Sequence, residues 1–322
     1  MSVLVYTENW EGKFKKLSFE LISYAAAIAK MMKSSVTVVS IGKVDDSELQ
    51  KLGKYGANKI LNISSDILNV FDSQAYTSII AEMALKDGAE VLVISNNNSG
   101  KAIAPRLSVR LKAGVGSGVS KLPLSINPFT VYKRTYSGNA FAHLVIRSDI
   151  KILTLAQNSF DLVEAPANPT IEKISPAIEA SLSRTVLKDS QKQTGKILLT
   201  DADIVVSGGR GMKSPDNWSP LVELASLLGA ATACSRPVSD EGWRPHEEHT
   251  GQTGKIIAPN LYIAIGISGA TQHLAGISSS KFIVAINSDK DAPIFEAAQY
   301  GIVGDAMKIL PKLVEAVKEI KK

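Results

Sequence analysis

The sequence has few of the features that mark several common classes of protein. It holds one cysteine, Cys234, so no intramolecular disulfide can form and a reducing compartment is the expected setting. Aromatic residues make up only 6% of the 322 residues, which is little for a protein that stacks on nucleic-acid bases. No apolar run approaches the ~20 residues that a membrane-spanning helix needs. These absences argue against disulfide-stabilised, nucleic-acid-binding and membrane-inserted proteins.

The overall composition is that of an ordinary globular chain. Hydrophobic residues make up 45% and charged residues 21%, and the net charge is +5. The lysines are scattered apart from the C-terminal KEIKK, and a mildly basic surface of this kind suits an acidic partner. The first residues, MSVLVYTEN, enter an apolar strand without a signal-peptide or transit-peptide pattern. We therefore expect a soluble cytoplasmic protein of two domains.

The first half of the chain alternates strand and helix. Residues 3–6 form a short apolar strand, and Leu17, Leu21, Ala25, Ile28 and Met32 then recur at helical spacing. Further strand and helix patterns follow, ending in a helix for which Ser99 is the predicted N-cap and Gly114 lies just past the end. Regular alternation of this kind predicts a parallel sheet with helices on both faces.

The pattern changes from about Leu122. Apolar and polar residues alternate up to about residue 160, and Ser137-Gly138-Asn139 marks a turn, so an antiparallel hairpin is predicted. Proline and charge then accumulate over residues 165–196, which we interpret as a strand or two followed by an interdomain linker. The predicted domains are residues 1–194, an N-terminal α/β domain, and residues 195–322, a doubly wound α/β domain.

The second domain again alternates strand, glycine loop and helix. Ser214 and Gly229 are the predicted ends of one helix, and Asp305 is the predicted cap of the last, which has an apolar stripe of Leu310, Leu313, Val317 and Ile320. Two loops, GGRGMKS and ISGATQH, each follow an apolar strand. Their glycines allow close approach of the backbone to a ligand, and a helix N-terminus after such a loop favours an anion. Two such loops suit a pyrophosphate-containing ligand.

A long polar segment lies between these two loops. TGQTG (residues 250–254) presents two hydroxyls and an amide among glycines, which suits hydrogen bonding to a polar ring edge. His246 and His249 flank two glutamates, but further ligands are not apparent, so we predict a solvated charge run rather than a metal site. Cys234 is predicted to be a small core residue. No catalytic triad or paired-carboxylate pattern stands out.

These motifs together resemble a known family. LYIAIGISGATQHLAGISSSKFIVAIN is similar to the signature of electron transfer flavoprotein alpha subunits, a family that includes the FixB proteins. GGRGMKS, ACSRP, TGQTGKIIAPNLY and NSDKDAPIFEAAQYGIVGD resemble the other FAD-contacting segments of that family, in the same order. The resemblance extends from about residue 203 to 305, and less distinctively over the first half. Thr271 departs from the aliphatic residue usual in the family.

The resemblance implies a set of cofactor-binding residues and a role for some of them. Thr253 would place its hydroxyl near flavin N5, His273 would lie by the O2 edge, and Arg236 would lie beside the isoalloxazine. Asp305 and Ala306 would lie at the adenine end. The implied FAD-binding residues are Arg210, Ser235, Arg236, Thr250, Gly251, Gln252, Thr253, Ser268, Gly269, Ala270, Thr271, Gln272, His273, Asn287, Asp305 and Ala306. Cationic groups and hydrogen-bond donors there would stabilise the negative charge of a reduced flavin.

The function implied by the resemblance is electron transport without turnover of a substrate. FAD would take electrons from acyl-CoA dehydrogenases of fatty acid beta-oxidation and related pathways, and pass them to a membrane quinone oxidoreductase. A beta subunit would complete a heterodimer in a bacterial cytoplasm, and the segment before Gly195 would act as a hinge. No catalytic residue, metal, nucleic acid or direct membrane insertion is expected.

Three alternatives stay open at this point. An NAD(P)-dependent oxidoreductase would share the fold of the second domain, although no catalytic acid or base is evident for it. An adenine-nucleotide sensor could be built on the first half. A bifurcating or nitrogen-fixation-linked flavoprotein of the same family would be distinguished by NADH binding in a second subunit.

Overall fold

The computed structural model describes residues 2–138, 140–176, 185–189 and 197–321. The chain divides into two compact units, Met1–Ser190 and Gln191–Lys322. The predicted domain boundary between residues 194 and 195 and the predicted hinge before Gly195 lie outside the described residues, as does Asn139 of the predicted hairpin turn.

The first unit is built on a large sheet whose strands alternate with helices along most of its length. Its strands are β1 (Ser2–Thr7), β2 (Asn9–Trp10), β3 (Lys13–Phe14), β4 (Ser35–Ile41), β5 (Lys59–Ile63), β6 (Ala89–Ser95), β7 (Gly114–Val119), β8 (Ser125–Ile126), β9 (Phe129–Thr135), β10 (Ala140–Ile146), β11 (Lys151–Leu155) and β12 (Thr170–Ile174). Its helices are α1 (Lys16–Met32), α2 (Asp46–Gly53), α3 (Ser73–Lys86) and α4 (Asn98–Leu111).

The sheet of the first unit is mostly parallel. Its order is β10-β9-β7-β11-β6-β1-β4-β5-β12, with β8 beside β9. Strands β7, β11, β6, β1, β4, β5 and β12 run parallel, whereas β9 is antiparallel to β7, β8 and β10. Along β1, Val3 and Val5 enter one core cluster, while Leu4 and Tyr6 enter the other. The sheet is therefore covered on both faces, and the predicted parallel sheet and antiparallel hairpin are confirmed.

The ends of helix α4 differ from the prediction. Asn97 is the N-cap, and its side chain accepts a hydrogen bond from the backbone N–H of Gly100 at 2.9 Å. The predicted cap Ser99 lies inside the helix. At the other end Lys112 adopts the left-handed conformation with φ 51°, and Gly114 already begins β7. Serine and asparagine are both good caps, so the sequence alone did not separate Ser99 from Asn97.

Two carboxylates of the first unit, from Glu20 on α1 and from Glu8 after β1, accept hydrogen bonds from groups at the carboxyl edge of its sheet. The Glu20 carboxylate accepts hydrogen bonds from the backbone N–H groups of residues 158–160 at 2.9–3.1 Å. Burial raises the pKa of Glu20, and these backbone donors oppose that shift. Glu8 accepts hydrogen bonds from Ser95 Oγ at 2.7 Å and from Asn97 Nδ2 at 2.8 Å. Side chains of this chain thus take up donors that an anionic ligand would use.

The second unit is a smaller parallel sheet with helices. Its strands are β13 (Ile204–Gly208), β14 (Ala231–Cys234), β15 (Leu261–Ile265), β16 (Phe282–Asn287) and β17 (Tyr300–Val303). Its helices are α5 (Ser219–Leu228), α6 (Arg236–Asp240), α7 (Thr271–Ile277), α8 (Ile294–Ala297) and α9 (Ala306–Ile320). The strand order β14-β13-β15-β16-β17 reverses direction at β13, so the loops after β13 and β15 lie at a topological switch point.

The helix ends of this unit mostly follow the sequence. Gly229 ends α5 in the left-handed conformation, and Asp305 caps α9 by accepting a hydrogen bond from the Met307 N–H at 2.9 Å. The helix predicted from Ser214 is instead a 3-10 turn over Pro215–Trp218 followed by α5. Ile320 is 85% exposed and does not belong to the buried stripe of α9. Among the described residues, no helix combines the length and apolarity needed to cross a membrane.

Candidate functional site

The loops after β13 and β15 meet through glycines. The Gly209 N–H donates to the Ile265 carbonyl at 2.9 Å, and the Gly211 N–H donates to the Gly266 carbonyl at 3.0 Å. A Cβ on Gly209 would lie 2.2 Å from the Gly266 carbonyl oxygen, and one on Gly211 would lie 2.6 Å from Gly266 Cα. Larger residues would push the two loops apart. Here glycine is required by close approach of two backbones at the switch point.

A cleft of about 590 Å³ opens over these loops at the carboxyl edge of the second sheet. Loops after β13, β14, β15 and β16 all contribute to its walls. Twelve of the sequence-predicted residues line it: Arg210, Ser235, Arg236, Thr250, Gly251, Gln252, Thr253, Ser268, Ala270, Gln272, His273 and Asn287. Residues far apart in the chain are therefore brought together at one edge of a single unit.

Four predicted residues lie beside the cleft rather than in its wall. Gly269 packs under the start of α8, where a Cβ would lie 2.3 Å from Ile294 N, and Thr271 begins α7. Ala306 is buried at the first turn of α9. Asp305 caps that helix and forms an ion pair of 3.0 Å with Lys213, which follows the Arg210 loop. The cap bond and Lys213 lower the pKa of Asp305.

The loop of residues 250–254 is held from both sides. The Gln252 N–H donates to the Gln272 carbonyl at 2.8 Å, and a Cβ on Gly276 would lie 2.4 Å from Gly251 Cα. The Gly254 N–H donates to the Gly251 carbonyl at 3.1 Å and closes the turn. Gln252 and Thr253 themselves are exposed. The loop therefore presents an amide and a hydroxyl to the cleft from a fixed backbone.

His273 is a buried imidazole in the cleft wall. Its Nε2 lies 2.9 Å from the Tyr262 hydroxyl, and its buried Nδ1 has no hydrogen-bond partner among the described residues. Burial lowers the pKa of His273 to about 4, and the nearby backbone of Thr250 opposes this only in part. Burial also raises the pKa of Tyr262. At neutral pH the pair is an uncharged phenol against an uncharged imidazole.

His249 is a second buried imidazole in the cleft wall, and it is not among the FAD-binding residues that the resemblance implies. The sequence predicted a solvated charge run over residues 246–249, and this is wrong for two of them. Glu248 is buried and accepts two hydrogen bonds of 2.7 Å from Arg244, and His249 is 3% exposed. Its Nδ1 lies against Gly254 without a hydrogen-bond partner in the described chain, while Gly251 adjoins Nε2. Burial and His246 lower the pKa of His249.

The charged residues of the cleft are mainly cationic. Arg210 stands exposed at the start of a 3-10 turn, Arg210–Met212. Arg236 begins the short helix α6 and forms an exposed ion pair of 3.3 Å with Asp240. Asp289 is the acidic residue in the lining. The side chain of Asn287 bridges the walls, because its Nδ2 donates to the Ile267 carbonyl at 2.8 Å and its Oδ1 accepts from the Asp289 N–H at 3.0 Å.

The cleft includes further residues that the sequence did not single out. They are Gly211, Pro237, His249, Gly266, Ile267, Asp289, Ala292 and Pro293. All but His249 lie inside motifs quoted above for the resemblance, so taking each motif whole would have included them. Cys234 is fully buried, as predicted, and burial raises the pKa of its thiol to about 12. Among the residues that the structure describes, no cluster of His, Cys, Asp and Glu could hold a metal ion.

The donors of the cleft fit a long anionic ligand with a polar ring system. Arg210 offers a fixed charge to phosphates, next to a loop whose Gly209 and Gly211 N–H groups already bond to the neighbouring loop. The exposed polar groups of residues 252 and 253 offer hydrogen bonds to ring edges. The lining has the mixture of apolar surface and a few placed polar groups that is typical of cofactor sites.

Comparison with known proteins identifies relatives along the whole chain. Residues 198–278 match the family described as "Electron transfer flavoprotein FAD-binding domain", and residues 3–179 match "Electron transfer flavoprotein domain". The chain is 35% identical over 316 residues to "Electron transfer flavoprotein subunit alpha" of Syntrophomonas wolfei, covering 98% of both chains. It is 36% identical to the protein of that name from Pseudomonas aeruginosa, covering 98% of this chain and all of the relative. "Protein FixB" of Clostridium saccharobutylicum is 32% identical, with 99% and 96% covered.

Proposed function

We propose that FAD lies in the cleft of the second unit. This chain belongs to the family of electron transfer flavoprotein alpha subunits, and it binds FAD. The observation that supports this most is the meeting of twelve residues, predicted from separate motifs, around one cleft at the switch point of the sheet. The electron-carrier role of the family then falls to residues 195–322, with residues 1–194 as the base for a partner subunit.

Each part of the cleft matches one part of the cofactor. Arg210 and the loop after β15 would hold the pyrophosphate, because a guanidinium and backbone N–H groups both bind phosphate oxygens. Asp305 and Ala306 lie beside Lys213 near the Arg210 loop, on the side where we place the adenosine. Residues 250–253, His273 and Arg236 would surround the ring system.

The chemistry follows from what surrounds the ring. FAD supplies the capacity to accept and release electrons, and reduction adds negative charge to the ring system. The Arg236 guanidinium keeps its positive charge at any working pH and stabilises that negative charge. The exposed Thr253 hydroxyl would donate a hydrogen bond to a ring edge, and the neutral His273 ring would lie beside the same ring system. The relatives are named electron transfer flavoproteins, and we infer from this a carrier without substrate turnover.

The partners and setting are part of the same proposal. The relatives are named as an alpha subunit, and we infer a heterodimer with a beta subunit. Acyl-CoA dehydrogenases of fatty acid beta-oxidation and related dehydrogenases would donate electrons, and a membrane quinone oxidoreductase would accept them. The single cysteine is consistent with work in the reducing cytoplasm.

A second candidate within the family is supported by the relatives named "Protein FixB". Their identity to this chain, 32% and 36%, is close to the 33–36% of the relatives named electron transfer flavoprotein subunit alpha. A FixB-type or bifurcating protein would be distinguished by reaction with NADH in the assembled heterodimer. Titration of the oxidised heterodimer with NADH, followed at the flavin absorbance, separates the two: bleaching favours the second candidate.

The proposed function is tested by co-expression with the beta subunit encoded in the same genome. We expect a 1:1 heterodimer that carries FAD and shows a flavin spectrum. An acyl-CoA dehydrogenase with its substrate should reduce this flavin, and a quinone oxidoreductase should reoxidise it. A monodisperse, FAD-loaded chain that ignores the beta subunit would contradict the heterodimer, and a colourless heterodimer would contradict the cofactor site.

A further inference from the structure

Three of the four histidines of the chain are grouped around the loop of residues 250–254. The Gly251 backbone adjoins two of them, because a Cβ built there would lie 3.5 Å from His249 Nε2 and 3.7 Å from His273 Cα. The rings of His246 and His249 are 5.5 Å apart between centroids. His246 is exposed, whereas His249 and His273 are buried and line the cleft. The group therefore extends from solvent to the wall of the cleft.

The buried ring of His249 gains no hydrogen bond at Nδ1 from the part of the chain that the structure describes. This nitrogen is enclosed against Gly254, where a Cβ would lie 2.8 Å away. The backbone beside the ring is paired, since the Thr250 N–H donates to the Cys234 carbonyl at 3.0 Å. An unpaired polar group in the interior destabilises a fold, so packing alone would favour an apolar side chain at this position. The ring therefore calls for a role other than packing.

The charge of the His249 ring depends on the groups that surround it. Burial lowers the pKa of His249, the charge of His246 lowers it further, and Asp240 opposes the shift. The ring is therefore uncharged at neutral pH and has an imidazole nitrogen that can bind a proton. The titratable and charged groups around it are Arg236 and Asp240 on α6, His246 in the preceding turn, Glu248 next to it in the chain, Cys234 on β14 and His273 on α7.

We propose that His249 takes up a proton when negative charge enters the cleft, with His246 as its link to solvent. The inference rests on the proposed function, because reduction of FAD in the cleft is the source of this charge. One electron enters the cleft from the donor, and one proton passes from solvent to the free imidazole nitrogen of His249. The net charge of the cleft then stays constant, and the proton returns to solvent when the electron leaves. A nearby negative charge favours the protonated form of a histidine.

The other groups around the ring are less suited to this role. His273 already shares a hydrogen bond of 2.9 Å with a buried tyrosine, and burial lowers its pKa to about 4. Burial raises the pKa of the Cys234 thiol to about 12, so the thiol already holds its proton. Arg236 keeps a constant charge and pairs with Asp240 at 3.3 Å. His249 is therefore the group whose charge can follow the charge in the cleft.

The test follows how the first one-electron reduction of bound FAD depends on pH in the heterodimer of the full chain with its beta subunit. Spectroelectrochemical titration from pH 8.5 to pH 5.5 gives the equilibrium constant of reduction at each pH. A group whose pKa is higher after reduction makes this constant rise as the pH falls between its two pKa values, by about tenfold per pH unit at most, or about 59 mV. We expect a total rise of at least about fivefold in the wild type and of less than about twofold in His249→Gln, whose amide does not titrate.

Two further variants separate His249 from the other histidines. His246→Gln removes the like charge that lowers the pKa of His249, so the rise should begin at a higher pH than in the wild type. The control His143→Gln changes the fourth histidine, which is exposed on β10 of the first unit, and should keep the wild-type profile. A rise that His246→Gln abolishes and His249→Gln retains would assign the proton to His246 and overturn the proposal.

Nuclear magnetic resonance of the histidine Cε1 positions gives a second measurement on the wild type itself. Each signal is assigned by its loss in one variant, and its pH titration is recorded in the oxidised and the fully reduced heterodimer. We expect reduction to strengthen proton binding at His249 at least about tenfold, which is one pKa unit. Equal titration of His249 in both states, with FAD bound, would overturn this inference and leave the cofactor site intact. A heterodimer without FAD would contradict the proposed function, and this inference would fail with it.

Discussion

Tyr262 and His273 share a hydrogen bond of 2.9 Å that joins the centre of the second sheet to the wall of the cleft. Tyr262 is fully buried on β15, and His273 lies in the first turns of α7. Neither group carries charge at neutral pH, because burial lowers the pKa of His273 to about 4 and raises that of Tyr262. The pair therefore fixes the imidazole without placing a permanent charge behind the ligand.

The first prediction concerns the acid stability of this unit. The pKa of His273 is near 4 in the folded chain and 6.5 in the unfolded chain, so the unfolded state binds more protons between these values. Stability should fall as the pH drops from about 6.5 to 4, by roughly 3 kcal/mol at most from this group. His273→Gln can still pair with Tyr262 but does not titrate, and should lose correspondingly less stability.

The measurement for this prediction is urea unfolding at pH 7.5 and pH 4.5, followed by fluorescence of Trp218 and Trp243. The loss of unfolding free energy between the two pH values is compared in wild type and variant. The carboxylates titrate in both proteins, so the difference between the two losses is the contribution of His273. His249 also has a lowered pKa and acts in the same direction, so His249→Gln serves as the matched comparison. Equal losses in wild type and His273→Gln would show that His273 does not titrate as described.

The second prediction concerns Arg210 and retention of FAD. A charge-assisted hydrogen bond contributes roughly 1.5–3 kcal/mol, so Arg210→Ala should raise the dissociation constant of FAD about ten- to a hundredfold. Lys312→Ala removes an exposed charge from α9 away from the cleft and should leave FAD binding unchanged. Equilibrium dialysis measures both. If Arg210→Ala binds FAD with unchanged affinity, the Arg210 side chain is an exposed residue of the turn and does not bind the cofactor.

The third prediction concerns Thr253 and the redox potential. Its loop backbone is held by the bond from Gln252 N–H to Gln272, so Thr253→Ala should keep the loop and the bound FAD. Loss of one neutral hydrogen bond, roughly 0.5–1.5 kcal/mol, should shift the flavin potential by on the order of 20–60 mV. Thr253→Ser keeps the hydroxyl and should restore the wild-type potential. Loss of FAD together with an altered circular dichroism spectrum would make the role structural.

The fourth prediction concerns Arg236. A unit charge ~4 Å from another is worth about 4 kcal/mol at an effective dielectric constant of ~20, which sets an upper bound of about 170 mV. The side chain is largely exposed and shared with Asp240, so solvent reduces this effect. Arg236→Ala should lower the first one-electron potential of the flavin by some tens of millivolts, and Arg236→Lys should recover part of it.

Asp240→Ala is the matched control for Arg236. It removes the ion-pair partner and leaves the guanidinium in place, so the potential should stay the same or rise. Spectroelectrochemical titration measures all three variants under one set of conditions. If Arg236→Ala titrates at the wild-type potential, Arg236 does not lie beside the flavin, and the role inferred from resemblance is wrong at that position.

The fold and most of the candidate site could be predicted because both depend on local patterns. The alternation of strand and helix predicted the parallel sheets, and the resemblance to electron transfer flavoprotein alpha subunits implied the twelve residues that line one cleft. The ends of α4 could not be predicted, because neighbouring Asn97 and Ser99 are both capable caps. Burial of His249 and Glu248 depends on Gly254 and Arg244, which pack around them only once the chain has folded. Contacts of this kind leave no periodic signal.

The Glu20 carboxylate accepts hydrogen bonds from the backbone N–H groups of residues 158–160. Because of these bonds, the two units should respond differently to a ligand. In the first unit the backbone donors of that loop are satisfied by a side chain of the same chain, so they need no anionic ligand from solution to be paired. The second unit has no such internal substitute in the described part of its cleft, so bound FAD adds to its stability by mass action. Cells short of flavin would therefore accumulate chains that are folded in the first unit and vulnerable to proteolysis in the second.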